Sequence, residues 1–178
     1  YEFRFVEEDT EKVLAEPVTD TARYGAQVVQ NAKQINGYTP SSNSGAITIK
    51  IEKEDKAERN VYIFYYKRAL ADLTITKSGF EDIDENQSFI FKVTGIDTNN
   101  TNISITVVIH GNDSVTIKDL PVGKYQVKEI SDWSWRYSPK DPIKEVPVDA
   151  NGTTIPFENE RTKIFWLDGN AYCDNRFG

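Results

Sequence analysis

Three residues could react with one another: an amine at Lys77, a carboxyl at Glu129 and a carboxamide at Asn159. Each closes a short alternating segment, "LTITK", "YQVKE" and "IPFEN". Successive side chains of a strand point to opposite faces, so residues two apart share one. Leu73 and Ile75 therefore share a face with Lys77, Tyr125 and Val127 with Glu129, and Ile155 and Phe157 with Asn159. Three apolar inward rows each end on one polar group.

Burial of such groups is costly unless they satisfy one another. Desolvation drives a lysine toward its neutral amine and a glutamate toward its protonated acid. A neutral amine is a nucleophile, and a carboxamide carbon is an electrophile. A protonated acid between them can polarise the carbonyl and shuttle protons as ammonia leaves. Held together in a dry core, they would form an amide between Lys77 Nζ and Asn159 Cγ. The alternative is a buried Lys77–Glu129 salt bridge with Asn159 hydrogen-bonded nearby, an arrangement of little net stability.

The elements that must position these groups are strands. From Leu73 to Asn159 the pattern predicts strands at 73–77, 88–94, 102–109, 113–117, 124–130 and 154–159, with weaker signals at 135–137 and 143–148. Turn signals at "TGIDTNN", "HGND", "LPVG" and "DANG" separate them, as in a small β-sandwich. Residues 1–68 read as a second, smaller α+β unit. "YEFRFV", "AITIKIEK" and "VYIFYYK" alternate, the last two are expected to pair, and "RYGAQVVQNAKQINGY" could hold one short helix. "KRALAD" is a brief, fairly stiff connection. Residues 161–178 form a tail rich in aromatics (Phe165, Trp166, Tyr172, Phe177), expected to pack on a neighbour.

Two family resemblances sharpen this reading. "LTITKSG", "DENQSFIFKVTG", "LPVGKYQVKEI", "WSWRY" and "TIPFEN" resemble a CnaB-type domain, the prealbumin-like, Ig-like sandwich of pilins and adhesins, over residues 72–160. In that family a first-strand lysine bonds to a last-strand asparagine with help from an acidic residue, which implies Lys77, Asn159 and Glu129 in those roles. Tyr1, Phe3 and Phe5, then "ARYGAQV", "INGYTP" and "VYIFYYK", resemble a MucBP-type repeat with its β-grasp architecture over residues 1–68. That family often has a glycine at the first turn, where this chain has Asp9-Thr10. Together the resemblances imply a stalk or spacer of a Gram-positive cell-surface, cell-wall-associated adhesin. The alternative they leave open is an adhesion module for host mucin or glycan, or for extracellular matrix protein. Neighbouring domains of the same parent chain are further expected partners.

Composition agrees. The 178 residues are 38% hydrophobic and 12% aromatic, enough for a packed core. A net charge of −7 without a basic stripe argues against nucleic acid, and no apolar run reaches the length of a membrane span. The chain holds no methionine, so Tyr1 is expected to be an internal cut, with any signal and anchor elsewhere. Cys173 is the single cysteine and excludes an internal disulfide. An isopeptide bond would supply the missing robustness.

Other chemistry is poorly supported. Asp82-x-Asp84-x-Asn86 opens like an EF-hand loop, but Gln87 and Val93 occupy the glycine and glutamate positions, so no calcium is expected. His110 lacks partners for zinc, and no cofactor is implied. Five N-x-S/T sequons, at Asn86, Asn99, Asn102, Asn112 and Asn151, read as chance in Asn/Thr-rich turns. Trp133 and Trp135, two apart, are expected to share a face and, with Tyr125 and Phe157, to dry the reaction site. The sharper alternative for the tryptophans is a ligand-stacking platform.

Overall fold

A computed structural model describes residues 1–42, 45–52, 60–79, 83–134 and 136–162. The chain divides into two compact units, Tyr1–Ala69 and Leu70–Gly178. Both are built from strands, as the composition leads one to expect.

The first unit contains β1 (Glu2–Glu7), β2 (Val13–Thr19), β3 (Gln27–Asn31), β4 (Tyr38–Pro40), β5 (Ala46–Lys50) and β6 (Val61–Arg68). Its main sheet has the order β2-β1-β6-β4, with β1 and β6 parallel and the other pairs antiparallel. Phe3 and Phe5 of β1 meet Phe64 and Tyr66 of β6 across that parallel pair, and the Phe5 and Phe64 rings stack at 5.3 Å. The Tyr66 hydroxyl donates to the Lys33 carbonyl at 3.0 Å, which satisfies the one polar atom of a fully buried ring.

Two expectations are corrected here. The short helix sought within residues 23–38 is absent among the described residues; β3 occupies its centre. The β-branched pair Val28-Val29 splits across the strand, Val28 packing inward and Val29 outward, and Gly25 and Gly37 take positive φ on either side. So short a segment cannot outweigh helix nucleation, whereas pairing with β5 satisfies its backbone at once. Nor do β5 and β6 pair with each other. β5 pairs with β3, and β6 inserts beside β1, where its aromatic row meets the phenylalanines. At the first turn Glu11 takes the left-handed conformation, with φ 55°.

The second unit is a sandwich. Its strands are β7 (Leu70–Gly79), β8 (Ser88–Asp97), β9 (Asn102–His110), β10 (Ser114–Pro121), β11 (Gly123–Ile130), β12 (Tyr137–Pro139), β13 (Ile143–Val148) and β14 (Thr153–Arg161). One sheet has the order β10-β7-β14-β12 and the other β13-β11-β8-β9. Their inner faces share one core of Leu73, Ile75, Phe89, Phe91, Val93, Val127, Ile155 and Phe157, among others. β7 and β14 are parallel neighbours, with Ile155 opposite Ile75 and Phe157 opposite Lys77. All the other pairs are antiparallel.

Candidate functional site

The three inward rows read from the sequence are inward in the structure. Leu73, Ile75 and Lys77 are 0, 0 and 3% exposed; Tyr125, Val127 and Glu129 are 2, 0 and 1%; Ile155, Phe157 and Asn159 are 6, 1 and 0%. Lys77 and Asn159 sit on adjacent strands of one sheet, two register steps apart near the ends of the parallel pair. Glu129 comes from the facing sheet, on β11. It crosses the core to accept a hydrogen bond from Asn159 Nδ2 at 2.6 Å.

The remaining polar atoms of this cluster are poorly provided for. Glu129 Oε2 and Asn159 Oδ1 are buried with no partner among the described residues. Lys77 Nζ donates once, to the Ser78 carbonyl at 3.2 Å, and stands 4.5 Å from the centre of the Phe89 ring. Among the described residues no ion pair joins Lys77 to Glu129, the contact that the salt-bridge alternative requires.

Burial displaces both groups toward their neutral forms. Burial pulls the Lys77 amine down to about 8, against the opposing pull of Glu129 and Glu158. Burial raises the Glu129 carboxyl, more than the Asn159 hydrogen bond and the charge of Lys77 lower it. At neutral pH an amine of that pKa is neutral about one time in ten, whereas an ordinary lysine is almost never so. A nucleophile, an acid and an electrophilic carboxamide thus occupy one water-poor core. Such a set can perform acyl transfer from the asparagine side chain to the lysine.

The aromatic surroundings differ in part from those expected. Phe157 lies opposite Lys77 in register, and its ring packs edge-on to Phe91 at 5.0 Å. Tyr125 is buried, but its hydroxyl donates to the Pro121 carbonyl at 2.5 Å, two inward positions away from Glu129. Its ring also fills the space beside Gly95, where an added Cβ would lie 2.4 Å from it.

Trp133 is not part of the dry shell, since it is 73% exposed. β11 ends at Ile130, and Ser131–Trp133 form a 3-10 turn that breaks the two-residue alternation. Ser134 becomes the buried residue of that turn. Trp135, like Cys173 and residues 163–178, lies outside the described residues.

Phe89 was missed although the signal was present. "SFIFKV" alternates, and Phe89 and Phe91 share its inward face. Tyr137 meets Phe89 edge-on at 5.6 Å, and its hydroxyl accepts the Asp84 backbone N–H at 3.2 Å. Ile83 closes over Gly79, the register partner of Asn159; an added Cβ there would fall 2.2 Å from Ile83 Cδ1. Asp84 itself is engaged by Asn86, whose backbone N–H and side-chain amide both donate to Oδ1. His110 pairs with Ser88 across β8 and β9 at 3.1 Å.

The sequence matches no protein-family model and no curated protein. Among solved structures it is similar to the Bacillus anthracis TIE protein, with a TM-score of 0.61 and 18% identity, over 91% of this chain and 34% of that one. A pilus-presented adhesin, Spy0125, gives a TM-score of 0.45 at 18% identity, over 65% of this chain and 34% of that one. A bacterial adhesin from Mobiluncus mulieris containing intramolecular disulfide, isopeptide and ester bond cross-links gives 0.43 at 12% identity, over 72% and 56%. The chain spans about a third of the length of the first two. The likeness to the TIE protein extends the observed β architecture to a known fold.

Proposed function

We propose that the sandwich is a self-crosslinking structural module of a bacterial cell-surface adhesin or pilin-like protein, in which Lys77 and Asn159 become joined. The observation that carries this reading is the buried 2.6 Å contact between Asn159 Nδ2 and Glu129, beside an amine that has no ionic partner among the described residues.

The reaction balances without oxidant or cofactor. The lone pair of neutral Lys77 Nζ adds to Asn159 Cγ, which leaves a positive charge on Nζ and a negative charge on Oδ1. A proton then passes from Nζ to Nδ2 by way of Glu129, whose Oε1 already touches the leaving nitrogen. The Cγ–Nδ2 bond breaks, ammonia departs, and a secondary amide remains. Glu129 ends as it began. This is one turnover of the chain on itself, with no external substrate.

The product closes a loop of about eighty residues, worth on the order of 4–5 kcal/mol by the chain-entropy model. It also changes how the module carries tension. Pull entering at Leu70 runs along β7 to Lys77, crosses to Asn159 and leaves after Arg161, so the strands between carry none of it. Such a module suits a stalk or spacer outside the cell.

Intact-mass measurement tests the reading: the chain is expected to weigh one ammonia less than its sequence. Full calculated mass in the folded wild type overturns it.

A second reading has its own observation in the first unit. A groove of about 340 Å³ is lined by Tyr1, Thr21, Ala22, Arg23, Tyr24, Ile51 and Asn60, with Tyr24 70% exposed. An open aromatic face beside a guanidinium and an amide suits the ring and hydroxyls of a host glycan. Saturable binding of mucin glycans, lost in Tyr24→Ala, would favour an adhesion module; no binding leaves the spacer role alone.

A further inference from the structure

We propose that Phe89 is a positioning residue for this crosslink: its ring face takes the N–H bonds of Lys77, so that the amine lone pair is turned toward Asn159. The inference rests on the proposed acyl transfer and adds a role that neither the three reacting side chains nor their burial explains.

Lys77 Nζ has three directions to fill and, among the described residues, one ordinary acceptor, the Ser78 carbonyl. The face of Phe89, 4.5 Å from Nζ to the ring centre, is its other partner. An aromatic face attracts N–H bonds through its negative quadrupole but cannot accept a proton. A carboxylate in the same place would hold the amine as an ammonium and occupy the lone pair needed for attack. The ring offers attraction without that loss.

Phe89 is itself fixed. It is 0% exposed, and Tyr137 braces it edge-on at 67°, with the Tyr137 hydroxyl tied to the Asp84 backbone. β8 lies in the sheet facing Lys77, so the amine is steadied from across the core while its own strand neighbour carries the electrophile.

The groups facing Nζ make opposite predictions for a guiding ring and for a mere water barrier. Burial lowers the amine's proton affinity, and Glu129 and Glu158 raise it. The ring also favours the ammonium. Phe89→Leu keeps the site apolar while removing the face, so Lys77 should lose its proton at lower pH. The maximum of the bell-shaped rate–pH curve should fall too, because orientation is lost.

The test uses full-length chain made by cell-free synthesis into denaturant and refolded at time zero, with loss of ammonia followed by mass spectrometry across pH. For Phe89→Leu the expected result is a maximal rate roughly tenfold lower and a Lys77 midpoint, read by NMR titration in the Asn159→Ala background, displaced to lower pH by about one unit. Phe89→Met, with a longer apolar chain, serves the same comparison should the leucine variant fail to fold. An unchanged maximal rate overturns the proposal. So does a midpoint displaced to higher pH, the sign of water entering.

Wild type that folds but never loses ammonia overturns the crosslink itself. The ring's hold on the amine then stands or falls on the NMR titration of Lys77 in Asn159→Ala, with and without Phe89→Leu. A midpoint that does not fall on losing the ring sinks it.

Discussion

The two units solve the same topological problem and finish it differently. Each lays its first strand parallel to its last, β1 beside β6 and β7 beside β14. Each sets polar side chains toward the far end of that parallel pair. In the first unit the carboxylate of Glu7, 4% exposed, accepts from the Arg68 guanidinium at 2.8 Å and from the Thr10 hydroxyl. Those contacts, the threonine hydrogen bond first, hold its carboxyl below the usual range. In the second unit the cation is a lysine sealed in the core, and both it and Glu129 are pushed toward neutrality. Arginine stays charged wherever it sits and here is 41% exposed, whereas a buried lysine yields its proton. One site is thereby an ionic clamp, and the other holds the ingredients of a covalent one.

The largest expected effect breaks the second clamp. Lys77→Ala or Asn159→Ala should restore the full mass and lower the melting temperature of the sandwich by roughly 20 °C or more, the loop-closure contribution divided by the unfolding entropy of a domain this size. Calorimetry beside intact mass reads both. Glu129→Gln should leave the core filled while halting or greatly slowing ammonia loss, because an amide cannot relay the proton. Complete bond formation in that variant would remove Glu129 from the chemistry.

A smaller effect separates the units by pH. In uncrosslinked Asn159→Ala, Lys77 binds its proton less tightly when folded than an ordinary lysine, at 10.5, does. The unfolded chain then holds more protons between about pH 8 and 10.5, so stability should rise across that window. In the first unit the slope has the same sign but lies in the acid range. Glu7 is lowered on folding, so its contribution is present above the ordinary carboxylate range and lost as acid protonates it. Glu7→Gln should cost that unit about 1–3 kcal/mol and flatten its acid sensitivity. The smallest effect is expected at Trp133, where Ala should change melting of the sandwich by no more than about 0.5 kcal/mol.

Legibility in the sequence followed the same divide. Period-two alternation is a local property, so the inward rows ending at Lys77, Glu129 and Asn159 were readable before any coordinates, as were the strands around them. Pairing partners are not local. Nothing within "AITIKIEK" says that it joins "QVVQN" and not "VYIFYYK", because the choice is made by Phe3 and Phe5, far away along the chain. Trp133 was misplaced because alternation was carried past the end of β11 into a 3-10 turn. Phe89 was legible as core, but its meeting with Lys77 depends on how two sheets face each other, which no single segment encodes.

The parallel run of β7 and β14 has one more consequence. The polypeptide enters the sandwich at one pole and departs at the opposite pole, without doubling back. Repeats of such a unit would therefore lengthen a fibre by the full height of a strand, about 30 Å for nine residues. Counted in series, they would act as a ruler, setting how far apart the two ends of such a chain stand.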